Sequence, residues 1–359
     1  MFKFNELKTV HLEISTRCQA ACPMCPRNYK GGLENPNLKI ADWTYEDFVK
    51  IFDTEVLQQL SGIYFCGNFG DPIMNNDLIA MCQHIKDNAY HIDVRIHTNG
   101  GARNIVWWEN LAAALPNNHR VVFALDGLED THHLYRIGTV YETVERNAKT
   151  FIQAGGNAEW VFIKFKHNQH QVEEAQLRSR QLGFKHFTIK NTIRFVGENK
   201  FSVLDKNSNI VYYLEPPTDF TISPIDEQAV INFKQNYKEF EIDCYAKNNR
   251  EVYIDAHKNL YPCCFLASAP YNNSKTPTII QGIRENMLKQ YYDMIESLGG
   301  LDSINVCNRS VKDILSDNKW HTVWDDYWGD KKLMTCSRVC GKTNFSKPKD
   351  QFVQRIVNE

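Results

Sequence analysis

The sequence predicts an α/β fold: a partial (β/α)6 TIM-like barrel followed by a small α+β domain rich in cysteine. Three observations lead there. From residue 9 to about 195, short apolar runs alternate with amphipathic stretches. After Arg194 the alternation stops, and a mostly polar segment containing Pro216 and Pro217 follows. Cysteines, grouped first at residues 18–25, return in number from residue 244 onward.

The apolar runs are Val10–Ile14, Ile63–Cys66, Ile92–His97, Val121–Leu125, Ala158–Phe165 and His186–Lys190. The stretches between them, Thr44–Leu60, Asp77–Asn88, Trp107–Ala114, Val140–Ala154 and Gln171–Leu182, are amphipathic and read as helices. Strands alternating with helices argue for a parallel sheet covered by helices. Six such strands can curl into an incomplete barrel, whose chemistry sits at the carboxyl ends of the strands. Beyond the barrel, one helix is expected near Asp226–Glu239. Val252–Ala256 and Leu260–Pro262, joined through His257, Lys258 and Asn259, read as a hairpin. Two further helices are expected at Thr278–Leu298 and Val311–Trp328. The expected divisions are 1–195 for the barrel, 196–240 for a connecting segment or lid, 241–345 for the cysteine-rich domain and 346–359 for a basic, polar tail. A second unit that small would gain from a metal staple.

Composition narrows the function classes. The 359 residues are 43% hydrophobic and 23% charged, with a formal net charge of −2. That balance is globular and carries no electrostatic footprint for nucleic acid or an acidic membrane. No apolar run approaches the length of a membrane span. The opening MFKFNELKTVHLEIS lacks the charged and apolar regions of a signal peptide, so a cytoplasmic location is expected. Disulfides are rare there, and eleven cysteines, an odd number in groups, then read as metal ligands or redox groups.

The first group lies in HLEISTRCQAACPMCPR, where Cys18, Cys22 and Cys25 have the spacing C-x3-C-x2-C. Three thiolates in a loop leaving a strand can wrap one face of a cubane. A [4Fe–4S] cluster usually takes four cysteines, so three would leave one iron open. Zinc would want a fourth Cys or His nearby, and none has the spacing. The rival reading, three buried structural thiols, fits poorly with a loop that also holds Pro23 and Pro26 and has little apolar surface.

This segment resembles the signature of the radical S-adenosylmethionine (SAM) superfamily, which places the same cysteine spacing after the first strand of a partial barrel. The resemblance implies that Cys18, Cys22 and Cys25 hold the cluster and that the open iron binds the amino and carboxylate groups of SAM. One electron would then split SAM to methionine and a 5′-deoxyadenosyl radical, which takes a hydrogen from the substrate. Met24 stands where the family usually has an aromatic residue near the adenine, and its thioether can still make a face contact. Gly67-Asn68-Phe69-Gly70-Asp71-Pro72 resembles the family's Gly-Gly-Glu-Pro stretch, with Asp in place of Glu. Thr98 and Asn99 end the third strand and Asp126 the fourth, where SAM-facing polar groups are common. Arg136, followed by Gly138, matches a position that often reaches the SAM carboxylate. Each of these alone favours the plainer reading of a strand-end turn or a solvated helix start; together, in this order, they favour the family. Cys66, at the end of the second strand, is a candidate hydrogen-atom donor, or else a small buried hydrophobe.

The second group comprises Cys244, Cys263, Cys264, Cys307, Cys336 and Cys340. Its fragments, DCYAKNN, YIDAHKNLYPCCF and TCSRVCG, resemble the SPASM and twitch extensions of radical SAM enzymes. That likeness implies one auxiliary [4Fe–4S] cluster on Cys244, Cys263, Cys336 and Cys340, with too few cysteines for two. Cys264 could replace Cys263, since adjacent strand side chains face opposite ways, and Cys307 is either a spare thiol or a ligand. A structural zinc on four of these thiolates is the alternative.

The remaining features have plainer readings. His84, His91, His97, His167 and His170 lack metal spacing. Trp320, Trp324 and Trp328 recur every four residues, as a packing stripe does. Lys164, Asn168 and Arg194 are substrate-contact candidates by position alone. The family resemblance implies a flavodoxin- or ferredoxin-like electron donor and a peptide or small-molecule substrate. Because the first strand begins near residue 9, no leader-binding domain is expected ahead of it. Two rivals stay open: a radical SAM modifier of nucleic acid, and a non-catalytic iron–sulfur or zinc protein for electron transfer or scaffolding.

Overall fold

Short, mostly buried apolar runs become the strands of the first half of the chain, and the amphipathic stretches between them become helices. The computed structural model describes residues 1–195, 198–220, 226–271, 278–342 and 352–358. The strands are β1 (Thr9–Leu12), β2 (Gly62–Phe65), β3 (Asp93–Thr98), β4 (His119–Ala124), β5 (Ala158–Lys164), β6 (His186–Asn191), β7 (Phe201–Leu204), β8 (Ile210–Leu214), β9 (Glu251–Ile254), β10 (Leu260–Tyr261) and β11 (Phe352–Val357). All six strands expected in the first half are present, each within about two residues of its expected start. Thr44 caps the helix that follows the first cysteine loop through a reciprocal bond with Asp47, and Asn104 caps helix Ile105–Ala114 by accepting from the Trp107 amide. The amphipathic stretch 44–60 forms two helices, Tyr45–Ile51 and Thr54–Gln59, because Asp53 caps a fresh start.

The chain divides into two compact units, neither continuous in sequence. One holds Met1–Ile14, Ala41–Tyr64 and Ile225–Lys347; the other holds Ser15–Ile40, Phe65–Pro224 and Pro348–Glu359. This differs from the successive blocks expected from the sequence.

In the second of these units the strands run in the order β3-β4-β5-β6-β11. β3 to β6 are parallel, and β11 lies antiparallel to β6. Register puts Val121, Phe123, Trp160 and Phe187 on one face, where Trp108, Phe151 and Phe184 of the helical layer pack against them. The opposite face carries Arg120, Glu159, Thr188 and Lys190. There Arg120 pairs with Glu159 at 2.9 Å, and Thr188 donates to Glu159 at 2.7 Å. The same face carries Val122, Val161 and Ile163, so its polar groups are set among apolar ones.

Two segments depart from expectation. The lid or linker at 196–215 contains the hairpin β7–β8, although residues 196 and 197 lie outside the described residues. Its Val203, Leu204 and Leu214 are buried. Of the expected polar tail, residues 346–351 lie outside the described residues, and the rest supplies β11.

In the first unit the order is β10-β9-β1-β2, with β9 parallel to β1 and antiparallel to β10. The expected hairpin is therefore present, turning at Lys258 with φ +68°. Helix Glu227–Asn236 and helix Thr278–Leu298 form as expected, while the stretch 311–328 breaks at Asp317 into helices Val311–Ser316 and Asn318–Trp328. Trp320, Trp324 and Trp328 pack in a row, with ring centroids 5.5 and 5.7 Å apart. Among the described residues no helix is long and apolar enough to cross a membrane.

Candidate functional site

The cysteine loop is built by backbone contacts that only particular residues permit. Arg27 is buried, and its guanidinium donates to the carbonyls of Thr16 and Phe69 while pairing with Glu34 at 3.0 Å. It thereby ties the start of the cysteine loop to the glycine-rich loop after β2. The Asp71 amide adds a bond to the Arg17 carbonyl at 2.8 Å. At Gly70 a Cβ would stand 1.9 Å from the Ser15 carbonyl oxygen, and at Gly67 one would stand 2.1 Å from that of Gly70. Glycine is required at both, because backbone meets backbone there. Gly138, with φ +87°, approaches the Gln19 carbonyl in the same way, and the Ala21 amide donates to the Ile137 carbonyl at 2.7 Å.

Within that frame the three thiols lie close enough to influence one another. Burial pushes the Cys18 thiol up, and the neighbouring Asp71, Cys22 and Cys25 raise it further. Burial likewise raises Cys22, against the pull of the Arg136 guanidinium. Asn99 Nδ2 lies 3.6 Å from Cys18 Sγ, and Arg136 Nη1 lies 3.6 Å from Cys22 Sγ. Both are N–H donors to sulfur. Beside the thiols, Ala20, Met24, Tyr135, Phe165, Phe195, Val203 and Leu214 form an apolar cluster against which Cys18 and Cys25 pack. The backbone oxygen of Met24 accepts from Arg194 Nη1 at 3.0 Å.

The other expected cofactor contacts divide into two kinds. Asp71, Thr98 and Asp126 are turned inward. Asp71 accepts from the Asn99 amide at 2.7 Å, from Thr98 Oγ1 at 3.1 Å and from the Ile73 amide at 3.1 Å. Burial pushes its carboxyl up, opposed by these bonds. Asp126 is fully buried between Arg136 Nε and the Ile163 amide, each at 2.5 Å. Burial raises the Asp126 carboxyl against the pull of Arg136, and that guanidinium stays charged despite its own burial because Asp126 faces it. These carboxylates hold the loops and act on the site through Asn99 and Arg136. Arg136, expected at the SAM carboxylate, has its Nε on Asp126 and its Nη1 toward Cys22. Asn68 is different: its Nδ2 is buried and has no partner among the described residues. Cys66 is half-buried at the end of β2, within electrostatic reach of Lys190 on β6.

Two substrate-contact candidates prove structural. Asn168 is fully buried, accepting from the Phe165 amide at 2.7 Å and donating to the carbonyls of Asp126 and Ile163. Lys164 pairs with Asp219 at 2.5 Å. Arg27 and Gln19 were not singled out in the sequence, since nothing local marks an arginine that binds carbonyls 11 and 42 residues away.

In the other unit, Cys244, Cys263, Cys336 and Cys340 come together. Cys244 and Cys340 are hydrogen-bonded to each other, which holds Cys244 down and drives Cys340 up. Burial raises Cys336 and Cys263, and each is raised further by Cys244. Cys264 lies beside Cys263 and near Tyr245, while Cys307 stands apart, its amide bonded to Asn305 Oδ1 at 3.0 Å. Among the described residues no three His, Cys, Asp or Glu side chains converge tightly enough to hold a single metal ion. A cubane takes its ligands at well-separated corners, and these thiols are near enough to influence one another. In the first site the donor set also fits: three sulfurs with N–H donors, beside a glycine cradle and the unpartnered Asn68 amide.

No family model matches the chain. A curated relative, the tungsten-containing aldehyde ferredoxin oxidoreductase cofactor-modifying protein of Pyrococcus furiosus, is 24% identical over 201 residues. That match spans 54% of this chain and about half, 53%, of the relative's length. Among solved structures, Streptococcus suis SuiB bound to precursor peptide SuiA superposes with a TM-score of 0.52 at 14% identity, covering 88% of this chain and 66% of that one. The anSMEcpe structure with bound AdoMet superposes with a TM-score of 0.52 at 15% identity, covering 96% and 89% of the two chains. Both are radical SAM enzymes. The chain thus has the mixed α/β fold of the radical SAM enzymes, and Cys18, Cys22 and Cys25 stand in the loop that follows its first strand.

Proposed function

We propose that this protein is a radical SAM enzyme whose [4Fe–4S] cluster is held by Cys18, Cys22 and Cys25. The observation that carries the reading is the C-x3-C-x2-C loop itself, with N–H donors on two of its sulfurs, in a chain of this fold. When bound, the cluster and SAM would supply the electron and the 5′-deoxyadenosyl radical that removes a substrate hydrogen.

The chain's own residues prepare that site. Arg27, Gly70 and Asp71 fix the cysteine loop against the loop after β2. Gly67 and Gly70 let backbone amides approach the SAM methionine, and the Asn68 amide is the free polar group there. Met24 gives the adenine an apolar side backed by Tyr135 and Phe165. The face with Lys190, and Cys66 at its edge, would take a polar substrate, with Cys66 placed to return a hydrogen atom. In the other unit, Cys244, Cys263, Cys336 and Cys340 would hold one auxiliary [4Fe–4S] cluster. The mutual influence of Cys244, Cys263, Cys336 and Cys340 supports that choice over Cys307, while Cys264, which also acts on Cys263, stays the alternative to it, as zinc does to the cluster. A flavodoxin- or ferredoxin-like donor would deliver the electron. The substrate class proposed is a peptide or a natural-product small molecule. Bound peptides in the SuiB and anSMEcpe structures favour the peptide.

The test is anaerobic reconstitution with iron and zinc counting, followed by a dithionite-plus-SAM assay for 5′-deoxyadenosine. About eight irons per chain with deoxyadenosine formed is the expected result. About four irons with one zinc would keep the radical chemistry and make the second site structural. Iron bound equally well by a chain carrying alanine at all three of Cys18, Cys22 and Cys25 would overturn the reading.

A further inference from the structure

Two side chains approach the sulfurs of the first cysteine group from elsewhere in the chain, Asn99 just after β3 and Arg136 at the end of helix His132–Tyr135, and both are held there. We propose that Asn99 and Arg136 tune the reduction potential of the cluster by donating hydrogen bonds to two of its three protein ligands, Cys18 and Cys22. This rests on the cluster proposed above and adds what sets its potential.

The orientation of Asn99 is fixed by its neighbours. Its Oδ1 accepts from the Gly101 amide at 2.8 Å, and a backbone N–H can only donate. Gln19 Nε2 donates to the same oxygen at 2.6 Å. The Nδ2 end is thereby turned to Cys18 Sγ at 3.6 Å, the usual longer range for a bond to sulfur. The Asn99 backbone is held in turn by the Asp71 carboxylate. Arg136 is fixed from its other side. Its Nε is bound to Asp126 at 2.5 Å, and Asp126 is locked by the Ile163 amide, so Nη1 is aimed at Cys22 Sγ at 3.6 Å. Arg136 also lies over the Tyr135 ring at 5.3 Å, and its side chain is only 15% exposed. Among the described residues no side-chain donor reaches Cys25.

The physical consequence follows from charge. Reduction adds a negative charge to the cluster, and burial of Cys22 disfavours that charge. An N–H on a ligand sulfur draws electron density from it and stabilises the reduced form, raising the potential. Arg136 adds a full positive charge in surroundings where water screens it little. The two donors oppose the effect of burial and bring the cluster within reach of a biological reductant. They act through the ligand sulfurs, as positioning and tuning residues.

The experiment is a redox titration of the reconstituted full chain, followed by electron paramagnetic resonance. The signal read is the one that changes on adding SAM, which separates the three-cysteine cluster from any other. The chains compared are wild type, Asn99→Ala, Arg136→Lys and Arg136→Gln, each with iron counted. The expected result is a midpoint that moves to more negative values in Asn99→Ala and further in Arg136→Gln, with Arg136→Lys between wild type and Gln. Deoxyadenosine formation driven by dithionite should fall in the same order. Full iron content with a wild-type midpoint in Asn99→Ala and Arg136→Gln would overturn the proposal. Should Arg136→Gln fail to take up iron, Asn99→Ala decides alone. A wild-type protein with no SAM-sensitive four-iron signal would instead sink the proposed function, so the two failures are distinguishable.

Discussion

The two cysteine groups are assembled on opposite principles. Cys18, Cys22 and Cys25 come from eight consecutive residues, and side chains from elsewhere in the chain reach in to bond their sulfurs. Cys244, Cys263, Cys336 and Cys340 come from three distant places in the chain: the start of helix Tyr245–Asn249, the turn after β10, and helix Met334–Cys340. There the nearest partners of the thiols are one another. A local triad leaves one corner of a cluster without a protein ligand and fixes almost no chain entropy. A long-range quartet fills every corner and closes long loops, whose closure the folded unit must otherwise offset. The first arrangement suits ligand exchange, and the second suits holding a fold together.

That contrast makes opposite predictions for the same operation. Alanine at Cys18, Cys22 and Cys25 together should abolish 5′-deoxyadenosine formation yet leave the thermal unfolding midpoint of the apoprotein near wild type. Removing the metal from the second group, through Cys336→Ala, should instead cost stability, by about 4 kcal/mol if the metal acts as a cross-link over a loop of that length. Denaturant unfolding of the reconstituted variant, with iron counted alongside, checks this. Deoxyadenosine should still form. A stable, iron-poor Cys336→Ala protein would remove the distinction between the two groups.

The first group's frame is the next largest lever. Gly70→Ala puts a methyl group 1.9 Å from the Ser15 carbonyl oxygen, and since both sides are backbone, the loop must shift. A cost of about 3 kcal/mol is expected, together with poor iron uptake at the first group only. Arg27→Met keeps much of the side-chain volume but leaves the Thr16 and Phe69 carbonyls without their buried donor. That should cost about 2 kcal/mol, read as a lower unfolding midpoint of the apoprotein, and it should broaden the electron paramagnetic resonance signal of whatever cluster forms. An Arg27→Met chain with normal stability and a normal signal would show that the carbonyl staple is dispensable.

How much of this was legible in the sequence depended on the range of the interaction. β3 to β6 could be read because a short apolar run between amphipathic stretches is a local property, and the cysteine triad because its three members share one loop. The pairing of β9 alongside β1 could not, since register between segments some 240 residues apart leaves no local mark. The hairpin β7–β8 was hidden by its polar turn at Asp205–Asn209 and by apolar residues divided between exposed Ile210, Val211 and Tyr213 and buried Val203, Leu204 and Leu214. Asp126 and Asp71 were found as site residues by position, but their direction was not. A carboxylate at a strand end serves equally well facing a cofactor or facing a backbone amide, and only the fold decides between the two.

The finest division lies within the second group, between thiols that interact and one that does not. Cys307 is half-buried, its amide and carbonyl are bonded to Asn305 and Lys50, and none of Cys244, Cys263, Cys336 or Cys340 is shifted by it. Cys307→Ala should therefore change stability by less than about 0.5 kcal/mol and leave the iron count at its wild-type value. Cys263→Ala should lose the second cluster unless the adjacent Cys264 turns inward to replace it. Comparing Cys263→Ala, Cys264→Ala and the double variant by iron counting settles which of the neighbours ligates. Loss of about four irons on Cys307→Ala would mean that the quartet is drawn wrongly and that the chain after Asn305 belongs to the metal site.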